Sequence, residues 1–116
     1  VDLLLPVPLH PKRMRQRGYN QSEWIARGIR SVTGIAIDTS SLSRVKKTES
    51  QTRKQIFERS ENVENIFRLE NAGALKNKHV LLLDDVITTG STISACAEAM
   101  KAISGIRISI LGIAVA

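Results

Sequence analysis

Val80-Leu81-Leu82-Leu83-Asp84-Asp85-Val86-Ile87-Thr88-Thr89-Gly90-Ser91-Thr92 is the stretch that decides the fold. Its first four residues are apolar, and an unbroken apolar run fits a strand buried on both faces, as in a parallel sheet. Two adjacent carboxylates follow, at the point where such a strand leaves the core. In open α/β sheets, ligands bind at the carboxyl ends of strands. The turn at residues 88–92 then combines hydroxyls, a glycine and backbone N–H groups at the start of a helix, which is how proteins hold a phosphate. One stretch therefore offers an acidic handle and a phosphate cradle.

Downstream, Ile93, Cys96, Ala97 and Met100 recur at i, i+3, i+4 and i+7, which predicts an amphipathic helix. Ala95, Ala99 and Ala102 are small enough for close packing on a sheet, and Gly105 ends the helix. Residues 106–115 then read as a second buried strand. A strand–helix–strand unit over 80–115 predicts a parallel pair joined by a crossover. Upstream, Leu3-Leu4-Leu5-Pro6-Val7-Pro8 reads as a short strand ended by prolines, which cannot extend a central ladder. Residues 10–18 read as a polar, basic loop. Asn20 is placed to cap a helix with Glu23 as its reciprocal partner. Trp24, Ile25, Gly28, Ile29 and Val32 then mark that helix's apolar stripe, and Gly34 closes it. Residues 35–37, 42–45 and 63–69 are further strand candidates, residues 46–61 a long loop with some helix, and residues 71–78 a turn region.

The chain has 116 residues, the size of one domain, and is 42% hydrophobic, so it can bury a core. Aromatics make up only 3%, so that core is aliphatic. No apolar run approaches the roughly 18 residues of a membrane span. The single cysteine, Cys96, excludes an intrachain disulfide framework and implies a reduced, cytoplasmic setting. The net charge of +6 is concentrated in two blocks. Lys12, Arg13, Arg15, Arg17, Arg27 and Arg30 face only Glu23 in the first. Arg44, Lys46, Lys47, Arg53, Lys54 and Arg59 face Glu49 and Glu58 in the second. Such blocks suit an anionic partner: phosphate, nucleotide or nucleic acid.

A Walker-type loop is excluded, because no Gly-Lys-Ser/Thr stands at the required spacing, and the dinucleotide Gly-x-Gly-x-x-Gly is absent. Leu83-Asp84-Asp85-Val86-Ile87-Thr88-Thr89-Gly90-Ser91-Thr92 instead resembles the signature by which phosphoribosyltransferases bind phosphoribosyl pyrophosphate: an apolar strand, two acids, a short apolar link and Thr-Gly-x-Thr. Pro6-Val7-Pro8-Leu9-His10-Pro11-Lys12-Arg13-Met14-Arg15-Gln16-Arg17-Gly18-Tyr19-Asn20-Gln21 narrows the match. It resembles the predicted amidophosphoribosyltransferases of the ComF competence group, as do Gln51-Thr52 with Arg53, Arg59 and Asn62.

The resemblance covers nearly the whole chain and carries several implications. It implies an α/β, type I phosphoribosyltransferase fold over residues 1–116, a central parallel sheet with helices on both faces. A cysteine-rich, zinc-binding segment usually precedes this domain in the group, so the chain is expected to be part of a longer protein. It further implies that Asp84 and Asp85 bind the ribose hydroxyls, directly or through a Mg²⁺ shell, and that Thr88, Thr89, Gly90, Ser91 and Thr92 wrap the 5′-phosphate. Lys12 and Arg13 are expected at the pyrophosphate, with Lys47, Arg53 and Arg59 reaching it from a lid over residues 46–61. Purine-salvage relatives carry an aspartate at the position of Thr88. Thr88 has no acid–base chemistry near neutral pH, which leaves the acceptor open and no evident general base.

Two functions are therefore expected to compete. One is phosphoribosyl transfer from phosphoribosyl pyrophosphate, or binding of a ribose 5-phosphate ligand, with Mg²⁺. The other is a non-catalytic accessory of competence that meets single-stranded DNA or the proteins of DNA uptake. Tyr19 and Trp24 read as packing residues, His10 as structural, His79 as a surface turn residue and Cys96 as a small core residue.

Overall fold

The computed structural model describes residues 1–45 and 67–116. Its centre is a parallel sheet ordered β2-β1-β5-β6, in which β1 is Leu3–Pro6, β2 Ala36–Ile37, β5 His79–Ile87 and β6 Arg107–Val115. Every pairing in this sheet is parallel. A separate antiparallel ribbon joins β3, Leu42–Arg44, to β4, Phe67–Leu69.

Side chains alternate across a strand, and the apolar runs of β1 and β5 use both faces. On one face Leu5, Val80 and Leu82 pack with Ile93, Cys96 and Met100 of helix α3 (Ser91–Met100) and with Leu42 and Leu75. On the other, Leu4 and Leu83 pack with Ala26 of helix α2 (Gln21–Thr33), with Ile29, Ile37 and Leu81 around them. Helices thus cover both faces, as the four-residue apolar run requires. Leu4, Leu5, Leu82 and Leu83 are almost wholly buried, which stabilises the fold by about 2 kcal/mol for each.

Four local expectations need correction. Residues 10–18 are not a loop, because Pro11–Arg17 forms helix α1. Its signals are short but complete: Pro11 stands at the helix start, His10 Nδ1 accepts from the Lys12 N–H at 3.1 Å, and the Gly18 N–H donates to the Met14 carbonyl at 2.8 Å. His10 is thus structural, as expected. Second, Asn20 does cap α2, accepting from the Ser22 N–H at 3.0 Å, but the Glu23 carboxylate contacts Arg27. The fully buried residues of α2 are Ser22 and Ala26; of the expected stripe Ile29 packs beside them, whereas Trp24 and Val32 are 58% and 86% exposed. Third, β6 is the edge strand of the sheet among the described residues rather than a strand buried on both faces, with Ile110, Ile113 and Val115 exposed. Fourth, His79 begins β5 and lies half-buried, its Nε2 2.7 Å from Ser109 Oγ on β6. Cys96 is buried as expected, its thiol pushed up to about 12 by burial.

Candidate functional site

The geometry of the site begins with unequal strand lengths. β1 stops at Pro6, opposite Leu83, and the Val7 N–H makes a last bond to the Leu83 carbonyl at 2.8 Å. The prolines at 6 and 8 end that ladder, while β5 runs on to Ile87 against β6 alone. Asp84 and Asp85 therefore lie at the carboxyl end of a central strand, just past the point where one neighbour has left. Both are half-buried.

Burial raises the Asp84 carboxyl to about 6. A hydrogen bond and charge repulsion from Asp85 act in the same direction, while the Asp85 N–H and the charge of Arg44 oppose them. The pair thus holds two carboxylates close together in a partly desolvated place, which favours a bound proton or cation.

The hydroxyl-rich turn follows directly. Thr89 Oγ1 accepts from the Ser91 N–H at 3.2 Å and donates to Ser91 Oγ at 3.1 Å. Gly90 has φ +83° and supplies no side chain at the N-cap of α3. A Cβ there would meet nothing within 4 Å, so glycine is needed for its left-handed backbone and not for space in this structure. Thr88, Thr89 and Ser91 are exposed and Thr92 half-buried. The acid pair and the positive end of α3 are separated only by residues 86–90.

Lys12 and Arg13 lie in the first turn of α1, exposed, on the segment that leaves the carboxyl end of β1. Asn20 Nδ2 donates to the Val7 carbonyl at 3.0 Å, tying the start of α2 to the same end of the sheet. Lys47, Arg53 and Arg59, and the lid assigned to residues 46–61, lie outside the described residues.

Residues 22–115 match the family model of the phosphoribosyl transferase domain. The chain belongs to the phosphoribosyl transferase domain family. It is similar to the DNA utilization protein YhgH of Salmonella typhi, 35% identical over 97 residues, covering 84% of this chain and 42% of that protein. It is also similar to competence protein F of Haemophilus influenzae, at 31% over 114 residues, 97% of this chain and 50% of that protein. Competence protein ComFC of Bacillus subtilis is 27% identical over 101 residues, 84% of this chain and 38% of that protein. The chain thus spans half or less of the length of these curated relatives.

Arg44 is a residue of this phosphoribosyltransferase domain that sequence reasoning counted only as one charge in a block. It ends β3, its guanidinium lies 5.4 Å over the Phe67 ring, and its charge lowers both the Asp84 carboxyl and the Cys96 thiol. It also lines a cleft of about 220 Å³ beside the end of β1, with Pro6, Pro8, Leu9, Met14 and Leu42. The ribbon thus carries a cation toward the acids. Nothing local in Leu42-Ser43-Arg44 signals this, because it depends on pairing with Phe67-Arg68-Leu69 across the intervening chain.

No group of three or more His, Cys, Asp or Glu residues able to hold a metal occurs among the described residues. Two adjacent carboxylates suit Mg²⁺ of another kind, since that ion is commonly bound by one or two carboxylates together with substrate oxygens and water. The crowded charge at Asp84 fits a cation arriving with its ligand.

Proposed function

We propose that this domain binds phosphoribosyl pyrophosphate as its Mg²⁺ complex and transfers the phosphoribosyl group to a nucleophilic acceptor. The observation that carries the reading is the acid pair beside a left-handed glycine turn, at the carboxyl end of the central strand. Asp84 and Asp85 accept hydrogen bonds from the ribose hydroxyls, directly or through the ion's water. The backbone of residues 88–92, the hydroxyls of Thr88, Thr89, Ser91 and Thr92, and the α3 dipole hold the 5′-phosphate. Lys12 and Arg13 meet the pyrophosphate, and Arg44 adds positive charge beside the acids. Mg²⁺, when bound, neutralises charge on the pyrophosphate and assists its departure.

The acceptor's lone pair forms a bond to the anomeric carbon as the carbon–oxygen bond to pyrophosphate breaks, its electrons leaving with pyrophosphate. With Thr88 in the turn, no side chain there takes the acceptor's proton, so positioning and electrostatics supply the rate. A reduced, cytoplasmic setting accords with the lone, buried Cys96. Among the described residues no helix is long and apolar enough to cross a membrane.

Titration calorimetry with phosphoribosyl pyrophosphate, with and without Mg²⁺, tests the reading. Mg²⁺-dependent binding that disappears in Asp84→Asn/Asp85→Asn is the expected result. Binding unchanged in that variant would remove the acidic handle. Release of pyrophosphate on adding an acceptor, followed enzymatically, separates transfer from binding.

A second reading is supported by the names of the relatives, which are DNA utilization and competence proteins. In it the domain meets single-stranded DNA through its basic surface, and the phosphate site serves regulation or stability. Salt-dependent binding of a labelled oligonucleotide tests it.

A further inference from the structure

Trp24 and Tyr19 read in the sequence as packing residues, yet they are 58% and 45% exposed. Asn20 is the N-cap of α2, so Tyr19 is the residue before the cap and Trp24 the fourth of the helix, neighbouring positions at a helix start. Ala26, two positions from Trp24 and fully buried, points Trp24 away from the sheet. One side of its ring is occupied by the Arg27 guanidinium, 5.2 Å from the centroid. Four residues on stands Gly28, which adds no side chain to this stretch of the helix surface. The indole is left open.

Single exposed apolar residues are ordinary. This pair is set apart by its surroundings. Arg17 Nη1 donates to Gln21 Oε1 at 3.1 Å, which brings the end of α1 to the start of α2. Lys12, Arg13, Arg15 and Arg17 on α1 and Arg27 and Arg30 on α2 are exposed, against Glu23 as the only acid of the two helices. Aromatic faces among arginines match single-stranded nucleic acid, whose bases stack while its phosphates pair with the cations. A duplex hides its base faces, and an acidic protein gives no reason for an open indole.

We propose that Tyr19, Trp24 and Arg27 form a stacking platform for single-stranded DNA, flanked by the arginines of α1 and α2. The proposal rests on the DNA-handling reading above and assigns that contact to the start of α2.

Trp24 is the only tryptophan of the chain, so its fluorescence reports on this platform alone. The probe is a 5′-labelled dT oligonucleotide added to the 116-residue chain, with anisotropy and tryptophan emission read on the same samples. Tryptophan quenching is expected to follow the anisotropy curve and to fade with salt. Trp24→Ala should weaken binding about tenfold, with Trp24→Phe restoring most of it. Arg27→Gln should flatten the slope of log affinity against log salt by about 0.7, one phosphate. Ribose 5-phosphate binding, measured on the same variants, checks that each is folded. If the oligonucleotide binds without quenching, or binds Trp24→Ala as tightly as wild type, the platform is overturned while the DNA-handling reading survives. If no oligonucleotide binds at low salt, both fall. Quenching by anionic phospholipid vesicles but not by dT would assign the surface to a membrane and overturn the proposal equally.

Discussion

Replacing Asp84 with asparagine should stabilise the free protein while removing its ligand. The Asp84 carboxyl rises from 3.8 to about 6 because burial and the Asp85 carboxylate disfavour its charge. Between those two values the folded state binds more protons than the unfolded state, so stability falls as pH rises through that window. The whole loss is present above pH 6, and none remains below pH 4. Fully shielded, the difference corresponds to roughly 3 kcal/mol. Asp84 is only half-buried, and solvent screening reduces this to about 1 kcal/mol. Asparagine keeps the shape and carries no charge. In metal-free buffer, Asp84→Asn should therefore melt with the wild type at pH 4 and about 4 °C above it at pH 8. Adding Mg²⁺ and phosphoribosyl pyrophosphate at pH 8 should reverse the order, because only the wild type gains the ligand's linkage. Differential scanning calorimetry across pH reads both effects. A melting difference independent of pH, or an asparagine variant less stable at pH 8, refutes the electrostatic account of the pair.

Three further outcomes follow from the geometry. Gly90→Val forces a β-branched residue to φ +83° and should cost about 2 kcal/mol in chemical denaturation; calorimetry on the folded fraction should show ribose 5-phosphate affinity falling far more than in Ser91→Ala. Gly105→Ala, where φ is +69° and a Cβ would run into the Asn77 side chain, should cost a similar 2 kcal/mol or so and leave that affinity unchanged, since it lies at the opposite end of the sheet. Arg44→Ala removes the cation that lowers Asp84, so the melting difference between Asp84→Asn and its parent should widen at pH 8 when both carry Arg44→Ala.

The parallel sheet was legible because its signal is local. An uninterrupted apolar run has one economical use, and residues 80–83 and 3–5 both find it, packing against helices on two faces. The turn was legible for the same reason, since Gly90 and its hydroxyl neighbours are adjacent in the chain. Arg44 was not, because its place depends on β3 pairing with residues more than twenty positions away. The α1 helix was hidden by composition: Lys12-Arg13-Met14-Arg15-Gln16-Arg17 has no apolar face, and only its caps announce it. The face of α2 was misread for a related reason. Trp24 and Val32 are large and apolar yet exposed, while the buried positions of the helix are the small Ala26 and Ser22, with Ile29 packed against the cluster around Leu4 and Leu83.

The two ends of the sheet differ in what their polar groups do. The amino end of the sheet is tied by polar contacts. The Asp2 carboxylate accepts from the His79 N–H at 2.8 Å, the His79 ring meets Ser109, and the Asn77 N–H donates to the Ser104 carbonyl at 3.0 Å. The carboxyl end instead holds a carboxyl raised by burial and by its neighbour, beside the left-handed turn at Gly90. Such an unfavourable local charge persists where a ligand compensates it. A half-buried carboxyl held against a second carboxylate is a charge arrangement that a cation or a hydroxyl-bearing ligand would relieve.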